Sequence, residues 1–176
     1  SARETAMRVA LASVCRKLLE KVDIEVGSRV VQIHKVKDSS PIPEETSPSQ
    51  LNAIADESPV RCLHKETEKK MITAIDKAKL KGDSVGGIFE VIAKGLPYGL
   101  GSYTHWDRKL HARLTSTMMS INGLKGIEIG AGFDGAGRLG SETHDEIGWD
   151  GDHYIRYSNN AGGLEGGMSN SQPIIV

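Results

Sequence analysis

Glycine and small polar residues cluster in the last third of the chain, in a pattern typical of backbone that approaches a ligand. Thirteen of the 20 glycines lie between residues 123 and 167. The densest stretch covers residues 159–170 and reads NNAGGLEGGMSN. Glycine loses the most backbone entropy on folding, so its frequency here indicates positions that need positive φ or close approach. Paired glycines flanked by Asn and Ser can also direct several backbone N–H groups at one anion or ring.

A second candidate site is the first turn of the chain. Ser1 and Glu4 have the spacing of a helix capping box, with Ala2 and Arg3 between them. The start of a helix attracts anions through its free N–H groups and its dipole. Arg3 adds a guanidinium that can hold a phosphate or carboxylate. An ordinary capping box with a surface arginine explains the same residues equally well.

Other motifs favour simpler interpretations. Residues 130–135 (GAGFDG) match the dinucleotide fingerprint GxGxxG, but residues 136–140 are a poor start for the helix that this fold requires. Neither residues 144–145 (HD) nor residues 150–153 (DGDH) have the ligand spacing of a calcium or zinc site, so we expect solvated loops and no metal.

The composition limits the class of protein. With 176 residues and a net charge of −1, the chain is expected to form a single domain over 1–176 with no affinity for nucleic acid. It contains no apolar run long enough to span a membrane. Its two cysteines, Cys15 and Cys62, suggest a reduced cytoplasmic protein with buried, unreactive thiols.

The helices and strands that position these residues are predicted from the spacing of apolar residues and from the glycines and prolines that interrupt it. We expect a well-buried apolar helix from Ser1 to about residue 20, and a helix over 65–81 with Met71 on its inner face. A surface loop insertion is expected over 38–56, proline-rich to about residue 49. A third helix over 108–121 would be capped by Thr104 or Asp107. Strands are expected over 24–36 (with a break near Gly27), 59–63, 84–94, 125–129, 154–157 and 172–176. This order predicts an α+β fold, a β-α-β sandwich with mainly antiparallel sheets packed on core helices.

Five ordered segments resemble signatures of the chorismate synthase family. They are SARET at 1–5, GLGSY with WDRKL at 99–110, MSIN before KGIEIG at 119–130, GS with HDE at 140–146, and NxxGGxxGG at 159–167. The family makes chorismate from 5-enolpyruvylshikimate-3-phosphate by 1,4-elimination of phosphate and a ring proton, as a carbon–oxygen lyase of the shikimate pathway. The resemblance implies reduced FMN as cofactor, NADPH as a flavin reductant in some members, and a homotetramer.

The resemblance also implies site residues. Ser1 and Ala2 would contact flavin and substrate, and Arg3 would hold the anionic substrate. Asn122, Gly123, Gly166 and Gly167 would contact the flavin. This chain departs from the usual family residues at Gly123, His111 and Ser171, which stand where Ala, Asp and Gly are usual.

The catalytic groups of the family are expected outside this sequence. Its acid histidines belong to motifs upstream of Ser1, and its flavin-phosphate segment lies beyond Val176. We therefore expect no catalytic residue within the chain, poor flavin binding and no turnover by the chain alone. The competing hypothesis is an inactive excised core or remnant that acts only as a folded or oligomerising module.

Overall fold

The structure is a computed structural model that describes residues 2–176 and divides into two compact units, residues 25–92 and residues 1–24 with 93–176. The predicted capping role of Ser1 lies outside the described residues. The helices are α1 Ala2–Glu20, α2 Pro48–Asp56, α3 Lys65–Leu80, α4 Leu110–Met119 and α5 Gly140–Thr143, with 3-10 helices at Trp106–Arg108 and Gly132–Gly137. The strands are β1 Glu25–Ile33, β2 Val36–Lys37, β3 Gly87–Lys94, β4 Ile147–Trp149, β5 Tyr154–Arg156, β6 Leu164–Glu165, β7 Met168–Ser169 and β8 Ile174–Ile175.

The unit formed by residues 25–92 is a small sheet covered by helices. Its strands lie in the order β2-β1-β3, and β1 pairs with β2 in an antiparallel hairpin in which Ile33 faces Val36. Helices α2 and α3 pack against these strands. The apolar side chains buried between them are Leu51, Ala55, Cys62, Met71 and Ile92. Met71 occupies the position on the inner face of α3 that the periodicity predicts.

Helix α2 corrects the loop predicted over 38–56. Ser47 accepts the backbone N–H of Gln50, whose side chain accepts the N–H of Ser47, and Pro48 occupies the first turn. This capping box starts a helix that buries Leu51. The prediction is therefore wrong from residue 48 onward.

Two strand predictions in the same unit also need correction. Gly27 does not interrupt β1, since it is a buried strand residue whose absent side chain lets Pro48 approach; a Cβ there would lie 2.5 Å from the Pro48 carbonyl oxygen. Residues 59–63 form a turn and irregular chain rather than a strand, and Arg61 has a φ of 54°. Its carbonyl accepts the N–H of Val30 at 2.9 Å, so a single hydrogen bond replaces the expected pairing.

The unit formed by residues 1–24 and 93–176 contains α1, α4, α5 and the two hairpins β4-β5 and β6-β7, both antiparallel. Helix α4 begins at Leu110 after Lys109, so neither predicted cap, Thr104 or Asp107, starts it. Residues 125–129 are irregular rather than a strand. The mixed helix and strand content with antiparallel pairing confirms the predicted α+β class.

Helix α1 is the largest departure from expectation. Its apolar side chains follow helical spacing, yet Met7 is 61% exposed, Leu11 63% and Val14 68%, and Leu19 is only half-buried. The prediction of a buried helix is wrong here because burial requires a covering surface, which spacing alone does not supply. Cys15, also expected to be buried, is exposed on this helix. Among residues 2–176, no helix combines the length and apolar character needed to cross a bilayer.

Candidate functional site

Gly166 and Gly167 form the two-residue turn of the β6-β7 hairpin, where Glu165 faces Met168. Both glycines have positive φ, 58° and 94°, as the tight hairpin turn that matches strand twist requires. Around Gly166, no atom of the described residues lies within 4 Å of the position that a Cβ would take. At Gly166 the turn therefore exposes bare backbone, which a flat ring can approach closely, whereas Gly167 is buried.

Polar contacts hold this hairpin against residues 97–110. The Ser169 hydroxyl donates to the Pro97 carbonyl at 2.5 Å and accepts the Leu100 N–H at 2.9 Å. The Leu110 N–H, at the start of α4, donates to the Gly167 carbonyl at 2.7 Å. A side chain at Gly167 would lie 2.6 Å from the Ser102 carbonyl oxygen. The turn is thus fixed on one side and open on the other.

A close backbone contact holds the preceding part of the glycine-rich segment. Gly130 and Gly162 both have positive φ, 58° and 61°. A Cβ on Gly130 would lie 2.5 Å from the Gly162 amide nitrogen, and a Cβ on Gly162 would clash with the main chain of Gly130. The Ala131 N–H donates to the Asn160 carbonyl at 2.8 Å beside this contact. Both glycines are therefore needed for two chain segments to touch.

Asp145 anchors the beginning of the same segment. It is only 8% exposed, and its carboxylate accepts hydrogen bonds from Ser158, Asn160 and Ala161. Burial alone would raise the pKa of Asp145, but the hydrogen bonds from Ser158 and from the backbone of Ala161 and Asn160 hold it below the usual value. The residue is ionised at neutral pH and acts only as an acceptor. The expected solvated loop at residues 144–145 is therefore wrong for Asp145.

Asn122 and Gly123 follow the other end of α4. Gly123 has a φ of 92°, so alanine, which the family resemblance leads us to expect here, would be strained. Arg8 donates to the Ser120 hydroxyl at 2.8 Å and pairs with Glu4, so the first turns of α1 lie beside this end of α4. Ala2 and Arg3 are exposed in the first turn of α1.

The site residues expected from the sequence therefore form two groups. Gly166 and Gly167 lie at the N-terminal end of α4, whereas Asn122 and Gly123 follow its C-terminal end, near the first turns of α1. A helix of 10 residues is about 15 Å long, so α4 separates the two groups. Each group includes glycine backbone, so a ligand that contacted both groups would have to be extended.

The alternative chemistries weighed on sequence find little support in the geometry. A 3-10 helix at Gly132–Gly137 stands where a dinucleotide-binding fold needs an α-helix. Within residues 2–176, His, Cys, Asp and Glu side chains do not gather in groups of three or more that could hold a metal ion. Asp150 caps the exposed β4-β5 turn by accepting the N–H groups of Asp152 and His153, as a solvated loop would.

Sequence reasoning misses the buried polar anchors, Asp145 and Ser169. Ser169 is 2% exposed and joins the hairpin to residues 97–100. Both lie within or beside the family-like segments, but their types alone are more typical of surface positions. A usable signal is that both lie in or next to a region too rich in glycine to pack by side chains.

The comparisons with known proteins agree across the whole chain. Residues 1–176 match the family described as chorismate synthase. The chain is 52% identical over 177 residues to chorismate synthase of Bacillus subtilis (strain 168), and 52% identical over 180 residues to chorismate synthase 2 of Bacillus anthracis. Each match covers 100% of this chain and 45% of the relative. A crystal structure of chorismate synthase is similar with a TM-score of 0.91 and 45% identity, over 99% of this chain and 54% of that one. The chain thus spans about half the length of these relatives.

Proposed function

The chain belongs to the chorismate synthase family, and from that premise we propose that it forms the central part of an enzyme that converts 5-enolpyruvylshikimate-3-phosphate to chorismate. In this 1,4-elimination the C–O bond to phosphate breaks and its electron pair leaves with the phosphate. A ring proton departs, the electrons of that C–H bond form one double bond, and the existing ring double bond shifts to the carbon that loses phosphate. The reaction has no net redox change.

The observation that carries the proposal is the Gly166–Gly167 turn. Its backbone has positive φ, is open and exposed at Gly166, and is held at Gly167 by the Leu110 N–H, which suits contact of Gly166 with a flat ring. The residues present therefore fit a flavin. When bound, reduced FMN would supply transient electron density and a proton-accepting nitrogen to the elimination.

The roles of the chain's own residues follow from their positions. Gly166 and Gly167 would hold one part of the flavin, and Asn122 and Gly123 another, from the two ends of α4. Ser1 and Ala2 would contact the flavin and substrate at the start of α1, where Arg3 would hold the substrate's anionic groups. No acid catalyst is assigned within the chain, because the family's acid histidines belong to segments outside it.

The proposal extends to the setting of the intact enzyme. We place it in the cytoplasm, since Cys15 and Cys62 are free thiols, and we expect the homotetramer that the family implies. The exposed apolar side chains of α1 would pack against sequence that this chain does not contain. The same exposure supports the alternative function, an inactive module that associates through α1, which predicts a concentration-dependent oligomer of the 176-residue chain by analytical ultracentrifugation.

Chorismate formation tests the proposal. The purified chain and a version extended at both ends by the full reading frame are mixed without oxygen with reduced FMN and 5-enolpyruvylshikimate-3-phosphate. Chorismate is followed by its ultraviolet absorbance. We expect activity from the extended protein and none from the chain alone. A parallel reaction with oxidised FMN and NADPH shows whether the protein reduces its own flavin.

Two outcomes would contradict the proposal. Turnover by the 176-residue chain alone would mean that the groups placed outside it are dispensable. An extended protein that folds but is inactive would remove the assigned function. In an active extended protein, Arg3→Ala should raise KM for the substrate by about tenfold or more, since it removes a charge-assisted contact to an anion. Arg113→Ala on the exposed side of α4 should leave KM unchanged.

A further inference from the structure

We propose that Asp145 is a positioning residue for flavin binding, which acts by fixing the backbone that leads into the Gly166–Gly167 turn. The inference rests on the proposed function, because it assumes that this turn contacts the flavin. Asp145 itself lies outside the turn and touches it only through intervening backbone. The roles assigned above give no part to this carboxylate.

Both oxygens of the Asp145 carboxylate are engaged by one short stretch of chain. Oδ1 accepts the Ser158 hydroxyl at 2.5 Å and the Asn160 N–H at 2.6 Å, and Oδ2 accepts the Ala161 N–H at 2.9 Å. These three donors lie 13 to 16 residues away in sequence. A two-oxygen clamp on successive N–H groups sets the direction of the chain as well as its position.

The clamped stretch leads directly to the hairpin. The Gly163 N–H donates to the Asn159 side-chain oxygen at 2.9 Å, and the Asn170 N–H donates to the Gly163 carbonyl at 3.0 Å. Gly163 therefore joins the clamp to the base of the hairpin, where Leu164 pairs with Ser169. Only the short strands β6 and β7 separate this base from the turn.

Apolar packing around this stretch is sparse, so polar contacts hold it. Besides the Asp145 clamp, the Asn160 carbonyl accepts the Ala131 N–H at 2.8 Å, and the Asn159 side chain donates to the Pro173 carbonyl at 2.8 Å. Leu164 and Ile174 are the buried apolar side chains near it. Asp145→Asn keeps the side-chain shape but replaces one accepting oxygen with an NH₂ group. Since both oxygens accept hydrogen bonds, either orientation of the amide places a donor against a donor.

The test uses the protein extended at both ends. The dissociation constant for FMN is measured by quenching of flavin fluorescence, with far-UV circular dichroism at room temperature as the measure of folded protein. We expect Asp145→Asn to remain folded and to bind FMN about tenfold more weakly or worse. The matched control is Asp150→Asn, because Asp150 also accepts two backbone N–H groups, but it is exposed and both donors belong to its own β4-β5 turn. It should bind like the wild type.

The same variants distinguish positioning from simple stability. A carboxylate that only stabilised the fold would lower Tm, while the molecules still folded at room temperature would bind FMN with the wild-type constant. Positioning predicts weaker binding by the folded molecules, together with faster amide hydrogen exchange at Asn160 and Ala161 in the absence of flavin. A wild-type dissociation constant in folded Asp145→Asn overturns the proposal.

A second variant covers a failure of Asp145→Asn to fold. Ser158→Ala removes the hydroxyl that donates to Asp145 and accepts from the Asn160 side chain at 3.4 Å, but leaves both backbone donors. It should weaken FMN binding about threefold, and unchanged binding by this variant would then overturn the proposal. If the wild-type protein binds no flavin, the proposed function and the positioning role both fail. Faster exchange at Asn160 and Ala161 in Asp145→Asn would still show that the carboxylate anchors the segment, which separates the two failures.

Discussion

The two units of the molecule differ in the interactions that stabilise each of them internally. Residues 25–92 surround a small apolar core in which Leu51, Ala55 and Met71 are at most 2% exposed. In the other unit, the most buried residues of the glycine-rich segment include the polar Ser169 and Asn170. Apolar burial stabilises the first unit, whereas hydrogen bonds to backbone define the second.

This difference explains where the family-like signatures lie. All five segments fall in the unit of residues 1–24 and 93–176, and none falls in residues 25–92. A backbone that must approach a ligand cannot carry bulky side chains, so it loses the means of building an apolar core. Polar anchors such as Asp145 and Ser169 take the place of that core. The contrast can be tested by perturbing each unit in the manner to which it should be most sensitive.

The largest expected effect is in the apolar core. Leu51→Ala should lower the free energy of unfolding of residues 25–92 by about 2–5 kcal/mol, through lost transfer energy and a cavity. Amide hydrogen exchange read separately over each unit is the measurement, with Ile54→Ala, 48% exposed on the same helix, as control. A loss below about 1 kcal/mol would mean that this unit is not held by its core.

Cysteine reactivity should separate the units by about a hundredfold or more, because only the thiolate reacts. Burial raises the pKa of Cys62 to about 11, and its thiol lies 3.3 Å from the Asp38 carboxylate, to which it donates. Because the fold favours the protonated thiol, its contribution to stability is complete below about pH 9 and is lost as pH rises towards about 11. Iodoacetamide at about pH 8 should modify exposed Cys15 in the native protein and Cys62 only after unfolding. Equal rates, read by peptide mass spectrometry, would contradict this difference.

A polar anchor should matter less than the core but more than a surface serine. Ser169→Ala leaves the Leu100 N–H and the Pro97 carbonyl without their partner, which should cost about 1–3 kcal/mol. Both tryptophans, Trp106 and Trp149, lie in this unit, so their fluorescence during urea unfolding reports the loss. Ser141→Ala, at an exposed position in α5, should change the free energy of unfolding by less than about 0.5 kcal/mol. Equal effects of the two variants would argue against anchoring.

The smallest expected effect is a gain in stability. Ser171 has a φ of 67°, a conformation strained for a residue with a Cβ, and the family resemblance leads us to expect glycine at this position. Ser171→Gly should raise the free energy of unfolding by about 0.5–1 kcal/mol. The same change inside α4, Ser116→Gly, should lower it by a similar amount. A loss of stability in Ser171→Gly would show that the serine has a compensating contact.

The sequence predicts elements well where one segment contains all the information. The periodicity of residues 65–80 defines α3 and its buried Met71. Helix α2 escapes prediction, although Ser47, Pro48 and Gln50 carry its start signal, because nearby prolines favour a loop. The exposure of the apolar side chains of α1 could not be predicted, since burial depends on whether another segment covers the helix.

The candidate site shows the same division. The paired glycines Gly166 and Gly167 indicate a tight turn. The glycine that the family resemblance leads us to expect at position 171 indicates positive φ at Ser171. The burial of Asp145 could not be predicted, because the three groups that donate hydrogen bonds to its carboxylate come from another part of the chain. Neighbouring residues determine local conformation, whereas the hydrogen-bond partners of a polar side chain are determined only when distant segments meet in the fold.

The contact between Gly130 and Gly162 has a consequence for how this protein can diverge. When two side chains are in tight contact, a larger residue at one position can be accommodated by a smaller residue at the other. Most tight contacts can therefore change through compensating substitutions. Here a Cβ on either glycine would clash with the main chain of the other, and no substitution makes the main chain smaller. Neither position can acquire a side chain first, and no change at the second makes the first tolerable. The pair should persist as a fixed point while the residues around it drift.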